Sequence, residues 1–291
     1  MWKGIDVSDN QGRIDWKKVK EAGCQFAVLR SVRRSGRPDR QFGANVSGCR
    51  ENGIPFEVYK YTYAAVPSQA VEEAEQVAGL LAEYGLSCRV WWDVEDRSLK
   101  GLGEGVLTGL IRSAQNTLEG EGLEFGVYTG LDFYESGFFR ASAIDCPYWI
   151  ARYPSSAYYE FGQEPPAETF RPKIGEELAA WQYTGKGRIG GIEGNVDLDV
   201  CYAPFWETGR EEGTIWCFSI ADVWTEALAR TAAAVYPACK VHRAEILDAG
   251  GIEIWVVSAA DVWTRAQAEE AGRRFGALGI AGVVHNIRVL A

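Results

Sequence analysis

The sequence is poor in the residues that usually bind metals, and it has no run that could span a membrane. Two of its 291 residues are histidines, and its seven cysteines form no Cys-x-x-Cys pair. These counts speak against a structural metal site, and no cofactor is expected. Nowhere do about 18 apolar residues follow one another, as a membrane-spanning helix requires. The N-terminus leads into a strand without a charged and apolar leader, so we expect no signal peptide and no membrane partner.

The chain also lacks an excess of positive charge. It carries 40 acidic and 30 basic residues, which gives a net charge of −10. A nucleic-acid binder needs a basic face, so nucleic acid is not an expected partner. The odd number of cysteines predicts reduced, mostly buried thiols and synthesis in the cytoplasm. Tryptophan and tyrosine are plentiful, with 11 and 13 residues, but they serve equally as sugar-stacking faces and as core.

The stretch Val90-Trp91-Trp92-Asp93-Val94-Glu95-Asp96 is the most informative part of the sequence. It is typical of a buried strand that ends in carboxylates. Side chains alternate along a strand, so Asp93 and Glu95 are expected on the same face. Two like charges there favour one carboxyl that keeps its proton, which is what cleavage of a glycosidic bond requires. The alternative is a strand that merely ends in a polar loop.

Predicted strands and helices alternate roughly every 20 to 30 residues over the first two thirds of the chain, which favours an α/β fold of the β/α-barrel type. The last strands lack helices of full length between them, so the barrel is expected to be irregular. In such barrels the C-terminal strand ends form the active site. The candidates at or near these ends are Asp6, Tyr61 or Tyr63, Asp93, Glu95, Tyr128, Trp149, Trp181 and Asp197.

The remainder of the chain predicts a second domain. We expect a first domain over residues 1–206, a linker over 207–213 and a small domain over 214–291. Residues 215–227 and 254–266 match at nine of thirteen positions with an offset of 39, and each copy predicts a strand, an Ala-Asp-Val-Trp-Thr turn and a helix. Two β-α-β units in succession favour an α+β, ferredoxin-like β-α-β-β-α-β sandwich. His242 and His285 hold equivalent repeat positions, which favours a structural over a catalytic role.

An arginine-rich loop follows the second predicted strand. It contains Arg33, Arg34, Arg37 and Arg40. A solvated loop and a site for anionic wall components are both compatible with this pattern.

Six short strings, taken in order, resemble one known family. They are Gly4-Ile5-Asp6-Val7-Ser8, Asp93-Val94-Glu95, Tyr128-Thr129-Gly130, Trp149-Ile150-Ala151-Arg152-Tyr153, Trp181-Gln182-Tyr183 and Val196-Asp197-Leu198-Asp199. In this order over 206 residues they resemble glycoside hydrolase family 25, the N-acetylmuramidase-type lysozymes of bacteria, fungi and phage endolysins. The segment Leu29-Arg30-Ser31-Val32-Arg33-Arg34 departs from the small, glycine-containing turn common in that family.

The resemblance implies a flattened, irregular β/α barrel that cleaves peptidoglycan glycan strands between N-acetylmuramic acid and N-acetylglucosamine. Glu95 would be the general acid, Asp93 its partner, and Asp6 and Asp197 further active-site carboxylates. The residues implied to line the substrate groove are Tyr61, Tyr63, Tyr128, Trp149, Tyr153, Trp181 and Tyr183.

Two mechanisms remain open at this stage. In the first, Asp93, Trp91 and Trp92 raise the pKa of the acid Glu95. Asp93 would also orient the 2-acetamido group of the substrate while that group attacks the anomeric carbon. Alternatively, Asp6 or Asp197 would activate water directly. The rival functions are a chitinase-like glycosidase and a peptidoglycan-binding protein without catalytic activity.

The second domain is similar in pattern to SPOR-type peptidoglycan-binding domains, which implies a wall-binding role. The alternatives are a homodimer formed through this domain and a purely structural appendage. A chain without a leader that lyses cell walls suggests a phage or prophage endolysin made in the cytoplasm. The other option is a secreted protein whose signal has been removed.

Overall fold

The computed structural model describes residues 1–202, 214–223, 225–234, 239–247, 252–262, 265–277 and 280–289. The chain forms two compact units, Met1–Trp206 and Glu207–Ala291. The predicted linker over residues 207–213 lies outside the described part. Within that part, no helix combines the length and the apolar character needed to cross a membrane.

The described residues of the first unit form nine strands and five α-helices, in the alternating order that the sequence predicts. The strands are β1 (Trp2–Val7), β2 (Phe26–Arg30), β3 (Phe56–Tyr61), β4 (Val90–Asp93), β5 (Phe125–Gly130), β6 (Tyr148–Ala151), β7 (Tyr159–Glu160), β8 (Leu178–Arg188) and β9 (Val196–Cys201). The helices are α1 (Trp16–Glu21), α2 (Phe42–Glu51), α3 (Pro67–Glu83), α4 (Glu104–Gly120) and α5 (Leu131–Glu135).

Eight of these strands close into a barrel. Strands β1 to β6 lie side by side in parallel, and β8 joins β6 in parallel. Strand β9 closes the barrel because it runs antiparallel to both β8 and β1. The short β7 pairs with β8 at the side. The α/β barrel and its irregular late strands are thus confirmed.

Alternation along the strands divides the side chains into two layers. Those that point outward pack with the helices in the main hydrophobic core, as Ile5, Leu29, Val58, Trp92 and Val127 do. Those that point inward form a second cluster that fills the barrel, as Phe26, Val28, Trp91, Tyr128 and Trp149 do. The paired tryptophans of β4 therefore belong to opposite layers, and Asp93 shares the inward face of Trp91.

The second unit follows the β-α-β-β-α-β order that the repeat predicts. Its elements are β10 (Thr214–Val223), α6 (Glu226–Ala233), β11 (Lys240–Ile246), β12 (Ile252–Val262), α7 (Arg265–Ala277) and β13 (Val283–Val289). Its antiparallel strands lie in the order β13, β10, β12, β11. A further pairing of β11 with β13 closes this sheet into a small barrel, whereas an open sandwich would leave two free edges.

The repeat motif itself folds differently from the prediction. Ala221, Asp222 and Val223 were expected in a turn but belong to β10, because pairing of Val223 with Trp255 of β12 keeps them extended. His285 Nε2 lies 2.9 Å from Asp222 Oδ2, and Ser219 Oγ donates a 2.7 Å hydrogen bond to Asp222 Oδ1. These contacts tie β13 to β10, which agrees with a structural role for His285.

Candidate active site

Three of the four predicted carboxylates meet at the C-terminal end of the barrel. Asp6 lies near the end of β1 and Asp93 is the last residue of β4. Strand β9 runs against β1, so its early residue Asp197 is the partner of Asp6 in the register of the two strands. Asp6 and Asp93 are 6% and 5% exposed, whereas Asp197 is half-buried. The strands thus hold the three groups at one edge of the barrel.

Glu95 projects from the chain just beyond β4. The backbone of Val94 still pairs with β5, since its amide donates a 2.9 Å bond to the Tyr128 carbonyl and its carbonyl accepts a 2.6 Å bond from Thr129 Oγ1. The sequence placed Glu95 on the strand together with Asp93, but the strand ends at Asp93. Glu95 is therefore exposed, and it lines a cavity of about 440 Å³.

Burial and mutual repulsion favour the protonated forms of the carboxyls. Burial, followed by the charges of Asp197 and Asp199, raises the pKa of Asp6 well above its usual value. Burial, followed by the charge of Glu95, does the same for the pKa of Asp93, and Lys60 offsets part of the effect. Burial raises the pKa of Asp197 to about 6. The surroundings of the cluster therefore favour protonated carboxyls.

The pKa of Glu95 is also raised, but its causes differ from those predicted. Loss of water comes first, followed by the charges of Asp197, Asp132 and Asp96. The prediction named Asp93 and the two tryptophans of β4. Those tryptophans contribute little to the pKa of Glu95, because Trp92 packs in the outer core and Trp91 fills the barrel interior. Asp132, at the start of α5, was not recognised in the sequence.

A fifth carboxylate lies one layer deeper in the barrel. Asp199 is fully buried, and its Oδ1 accepts a 3.0 Å hydrogen bond from Trp149 Nε1. Its side chain is also within hydrogen-bonding distance of Asp6, and burial with the charge of Asp197 raises its pKa. Two carboxyls in such contact need one proton between them. Trp149 is thus a buried support for Asp199 and, at 2% exposed, not a groove wall as predicted.

Gln182 links two predicted tyrosines to Asp6. Its Nε2 donates a 2.6 Å hydrogen bond to Asp6 Oδ2. Its Oε1 accepts hydrogen bonds from the hydroxyls of Tyr128, at 2.8 Å, and Tyr153. Tyr128 is nearly buried, while Tyr153 is 51% exposed and stands in the groove. The glutamine was overlooked because an amide between two aromatic residues gives no catalytic signal in the sequence.

The prediction that Trp181 and Tyr183 line the groove was wrong. Both are 1% exposed and belong to the outer hydrophobic core. Trp181 Nε1 donates a 2.8 Å hydrogen bond to the carbonyl of Arg152 behind the barrel wall. Alternation on β8 turns these two side chains outward because Gln182, between them, points inward.

Tyr61 and Tyr63 both lie on the rim of the site. Each is partly exposed, and their ring centroids are 4.8 Å apart. The Tyr61 hydroxyl donates a 3.2 Å hydrogen bond to Asp96 Oδ2. Tyr59, which was not predicted, faces the carboxylates, since burial and then the charge of Asp6 raise the pKa of its hydroxyl.

Tyr153 lines two cavities of the site. The larger one contains Glu95, Tyr128, Asp132, Glu135 and Arg152. The smaller one, of about 300 Å³, is lined by Ser155, Ser156, Thr184, Gly185 and Lys186. Among the described residues, no group of three or more metal-binding side chains has the geometry to hold an ion.

A β/α barrel whose strand ends carry several proton-retaining carboxyls beside an open groove has the features of a glycoside hydrolase. The profile of glycosyl hydrolases family 25 matches residues 5–192, and the chain belongs to this family.

Individual relatives agree with this assignment. The chain is 28% identical to the autolytic lysozyme of Clostridium acetobutylicum over 199 residues, covering 68% of this chain and 55% of that protein. It is 27% identical to Lysozyme M1 of Streptomyces globisporus over 213 residues, covering 67% of this chain and 66% of that protein. The catalytic domain of endolysin ply40 from a Listeria monocytogenes bacteriophage shares the fold, with a TM-score of 0.58, 23% identity and coverage of 72% and 96%.

Proposed function

We propose that this protein is a lysozyme that hydrolyses the β-1,4 bond between N-acetylmuramic acid and N-acetylglucosamine in bacterial peptidoglycan. The observation that carries the proposal is the position of Glu95, exposed in the groove above a layer of buried carboxyls. Two of its relatives are an autolytic lysozyme and a lysozyme, which supports a lysozyme activity for this chain. An endolysin domain among the similar folds fits an enzyme that reaches the cell wall during lysis.

Glu95 supplies the proton in this proposal. Departure of the sugar alcohol requires an acid within reach of the glycosidic oxygen. Glu95 shares the larger cavity with Asp132 and Glu135, but it lies directly after the strand that carries Asp93. Loss of water, followed by the charges of Asp197, Asp132 and Asp96, raises the pKa of Glu95, which favours the protonated form that a general acid needs. These properties match those required of a general acid.

Asp93 then assists the substrate. It lies below Glu95 at the end of β4, and its side chain accepts the N–H of the 2-acetamido group while the acetamido oxygen attacks the anomeric carbon. As the glycosidic bond breaks, Glu95 protonates the leaving oxygen, and water then opens the cyclic intermediate at the anomeric carbon. The anomeric configuration is therefore retained without a covalent bond to the enzyme. The competing route, in which Asp6 or Asp197 activates water, inverts it. NMR of the first product separates the two: an initial β anomer supports assistance by Asp93, and an initial α anomer refutes it.

Mass spectrometry of digested peptidoglycan tests the function. Wild type is expected to release fragments that end in reducing muramic acid, and Glu95→Gln to release at least a hundredfold less. Glu135→Gln is the matched control, because Glu135 is exposed in the same cavity. Fragments ending in reducing glucosamine would contradict the bond assignment. No new reducing ends would leave a binding protein.

A chitinase-like specificity is the rival enzyme. Chitin oligomers carry the acetamido group but no muramic acid, so hydrolysis of both substrates at similar rates would favour that rival. Hydrolysis of peptidoglycan alone supports the lysozyme.

The second unit binds the cell wall in this proposal. The support is its β-α-β-β-α-β order, shared with SPOR-type peptidoglycan-binding domains. Full-length Glu95→Gln protein is expected to pellet with purified peptidoglycan, and residues 1–206 with the same substitution to pellet less. If both proteins pelleted equally, the second unit would have a structural role or would form a homodimer. Light scattering of the full chain distinguishes these two roles.

A further inference from the structure

The arginine-rich loop after β2 forms an ordered hairpin beside the active site. Val32 pairs with Pro38, and the amide of Arg33 donates a 2.9 Å hydrogen bond to the carbonyl of Arg37. The amide of Gly36 donates a 3.0 Å bond to the carbonyl of Arg33, which closes a four-residue turn. Gly36 has a φ of 74°, a conformation that glycine adopts without strain. Arg34 is therefore held at a defined place in this turn.

Arg34 lies over an aromatic ring at the rim of the groove. Its guanidinium carbon is 4.6 Å from the centroid of Tyr63, which in turn contacts Tyr61. Tyr61 is bonded to Asp96, the residue that follows Glu95. Arg34 is thus connected, through the rings of Tyr63 and Tyr61, to the carboxylate of Asp96, which follows the proposed acid in the sequence. Stacking fixes the plane of the guanidinium and leaves its N–H edge free for a ligand.

The charge of Arg34 is not consumed by an ion pair among the described residues. Arg30, the last residue of β2, forms ion pairs with Asp9 and Asp39 and is partly buried. Arg34 is exposed and has no carboxylate within 4.0 Å in the described part of the chain. Its positive charge still lowers the pKa of Asp96, after the hydrogen bonds from Ser98 and Tyr61. An oriented, unpaired guanidinium beside a groove is suited to an anionic group of the substrate.

We propose that Arg34 binds a carboxylate carried by the glycan substrate, held by the Tyr61–Tyr63 ring pair at this rim. The inference rests on the proposed function, because it concerns the same groove. A planar guanidinium offers two parallel N–H donors, which match the two oxygens of a carboxylate. Peptidoglycan presents such groups in two places, on the stem peptide and, once the peptide is removed, on the lactyl group of the sugar. Chitin carries neither carboxylate, so binding by Arg34 would also make the enzyme prefer peptidoglycan to chitin.

The test compares Arg34→Gln with Arg37→Gln, an exposed arginine on the other side of the same turn. Release of reducing ends is measured on three substrates: intact peptidoglycan, strands freed of stem peptides, and those strands with their carboxylates converted to neutral amides. Loss of one charge-assisted pair is expected to lower kcat/KM of Arg34→Gln about ten- to hundredfold on a carboxylate-bearing substrate. On the amidated strands Arg34→Gln is expected to equal wild type. Arg37→Gln is expected to follow wild type throughout.

The pattern of losses identifies the carboxylate. A loss on strands without peptides assigns the lactyl carboxylate, and a loss confined to intact peptidoglycan assigns the stem peptide. Unchanged kcat/KM of Arg34→Gln on both, or an equal loss on amidated strands, overturns the inference while wild-type activity preserves the proposed function. An inactive wild type overturns both.

Discussion

The two ends of the eight-stranded barrel bury carboxylates in opposite ways. At the N-terminal end, Glu57 is 1% exposed and its Oε2 accepts a 2.7 Å hydrogen bond from Trp91 Nε1. Burial raises the pKa of Glu57, and Arg89, which also forms a 2.5 Å ion pair with Glu124, offsets only part of that rise. At the C-terminal end, the neighbours of Asp6 and Asp93 are largely other carboxylates.

The difference separates a structural carboxylate from a functional one. Folding alone selects for compensated charge, because an uncompensated buried carboxylate destabilises the native state. At the N-terminal end Glu57 avoids this cost, because burial raises its pKa to about 8 and the group keeps its proton near neutral pH, with a hydrogen bond from Trp91. At the C-terminal end no donor among the described residues reaches Oδ1 of Asp93, and Lys60 is shared with Glu73 at 3.2 Å. We interpret this uncompensated charge as the cost of a site that must bind and release protons.

The largest expected effect comes from neutralising one carboxylate at each end. Asp93→Asn is expected to lower kcat about 10²- to 10⁴-fold, since it removes a group that acts on the substrate. The same change should raise the melting temperature, because it removes a buried charge that repels its neighbours. Glu57→Gln is the matched change at the other end, and its kcat should stay within about twofold of wild type. Equal losses of kcat in both variants would contradict the division of the barrel into two kinds of end.

The pH dependence of stability should distinguish the ends further. Burial raises the pKa of Glu57 to about 8, from 4.5 in the unfolded chain. Between these values the unfolded chain releases a proton that the folded chain keeps, so the free energy of unfolding falls as pH rises. One such group contributes about 1.4 kcal/mol per pH unit. Urea unfolding of wild type should show that the free energy of unfolding decreases between pH 5 and pH 7. In Glu57→Gln this decrease should be smaller by about 3 kcal/mol. Identical curves would show that Glu57 is ionised in the native state.

Strand alternation explains why the fold and four carboxylates could be predicted from the sequence. Local features of the sequence are unchanged in the folded protein. They include the apolar strand patterns, the helix lengths and the positions of Asp6, Asp93 and Asp197 at strand ends. Alternation also sets a limit, because it says which residues share a face but not which face is inward. For β8, the sequence was assigned with Trp181 and Tyr183 inward, and the barrel has Gln182 inward instead.

The residues that were missed depend on contacts between distant parts of the chain. Gln182 and Asp6 are 176 positions apart, and Trp149 and Asp199 are 50 apart. Asp132 acts on Glu95 through space from a different strand-to-helix connection. None of these pairs has a spacing that a sequence pattern can reveal. These residue pairs come together only when the strands close into the barrel.

The smallest expected effect concerns the charge of Asp132 next to the proposed acid. Asp132→Asn removes a negative charge that raises the pKa of Glu95, so the pKa should fall and the alkaline limb of the kcat/KM profile should move to lower pH. Because Asp132 is exposed, solvent weakens the effect, and about 0.5 M salt should weaken it further. Glu135→Gln removes an equal charge from the same cavity, but Glu135 is not among the groups that act most strongly on Glu95. If both variants shifted the limb equally, the effect would stem from the total charge of the groove and not from the position of Asp132.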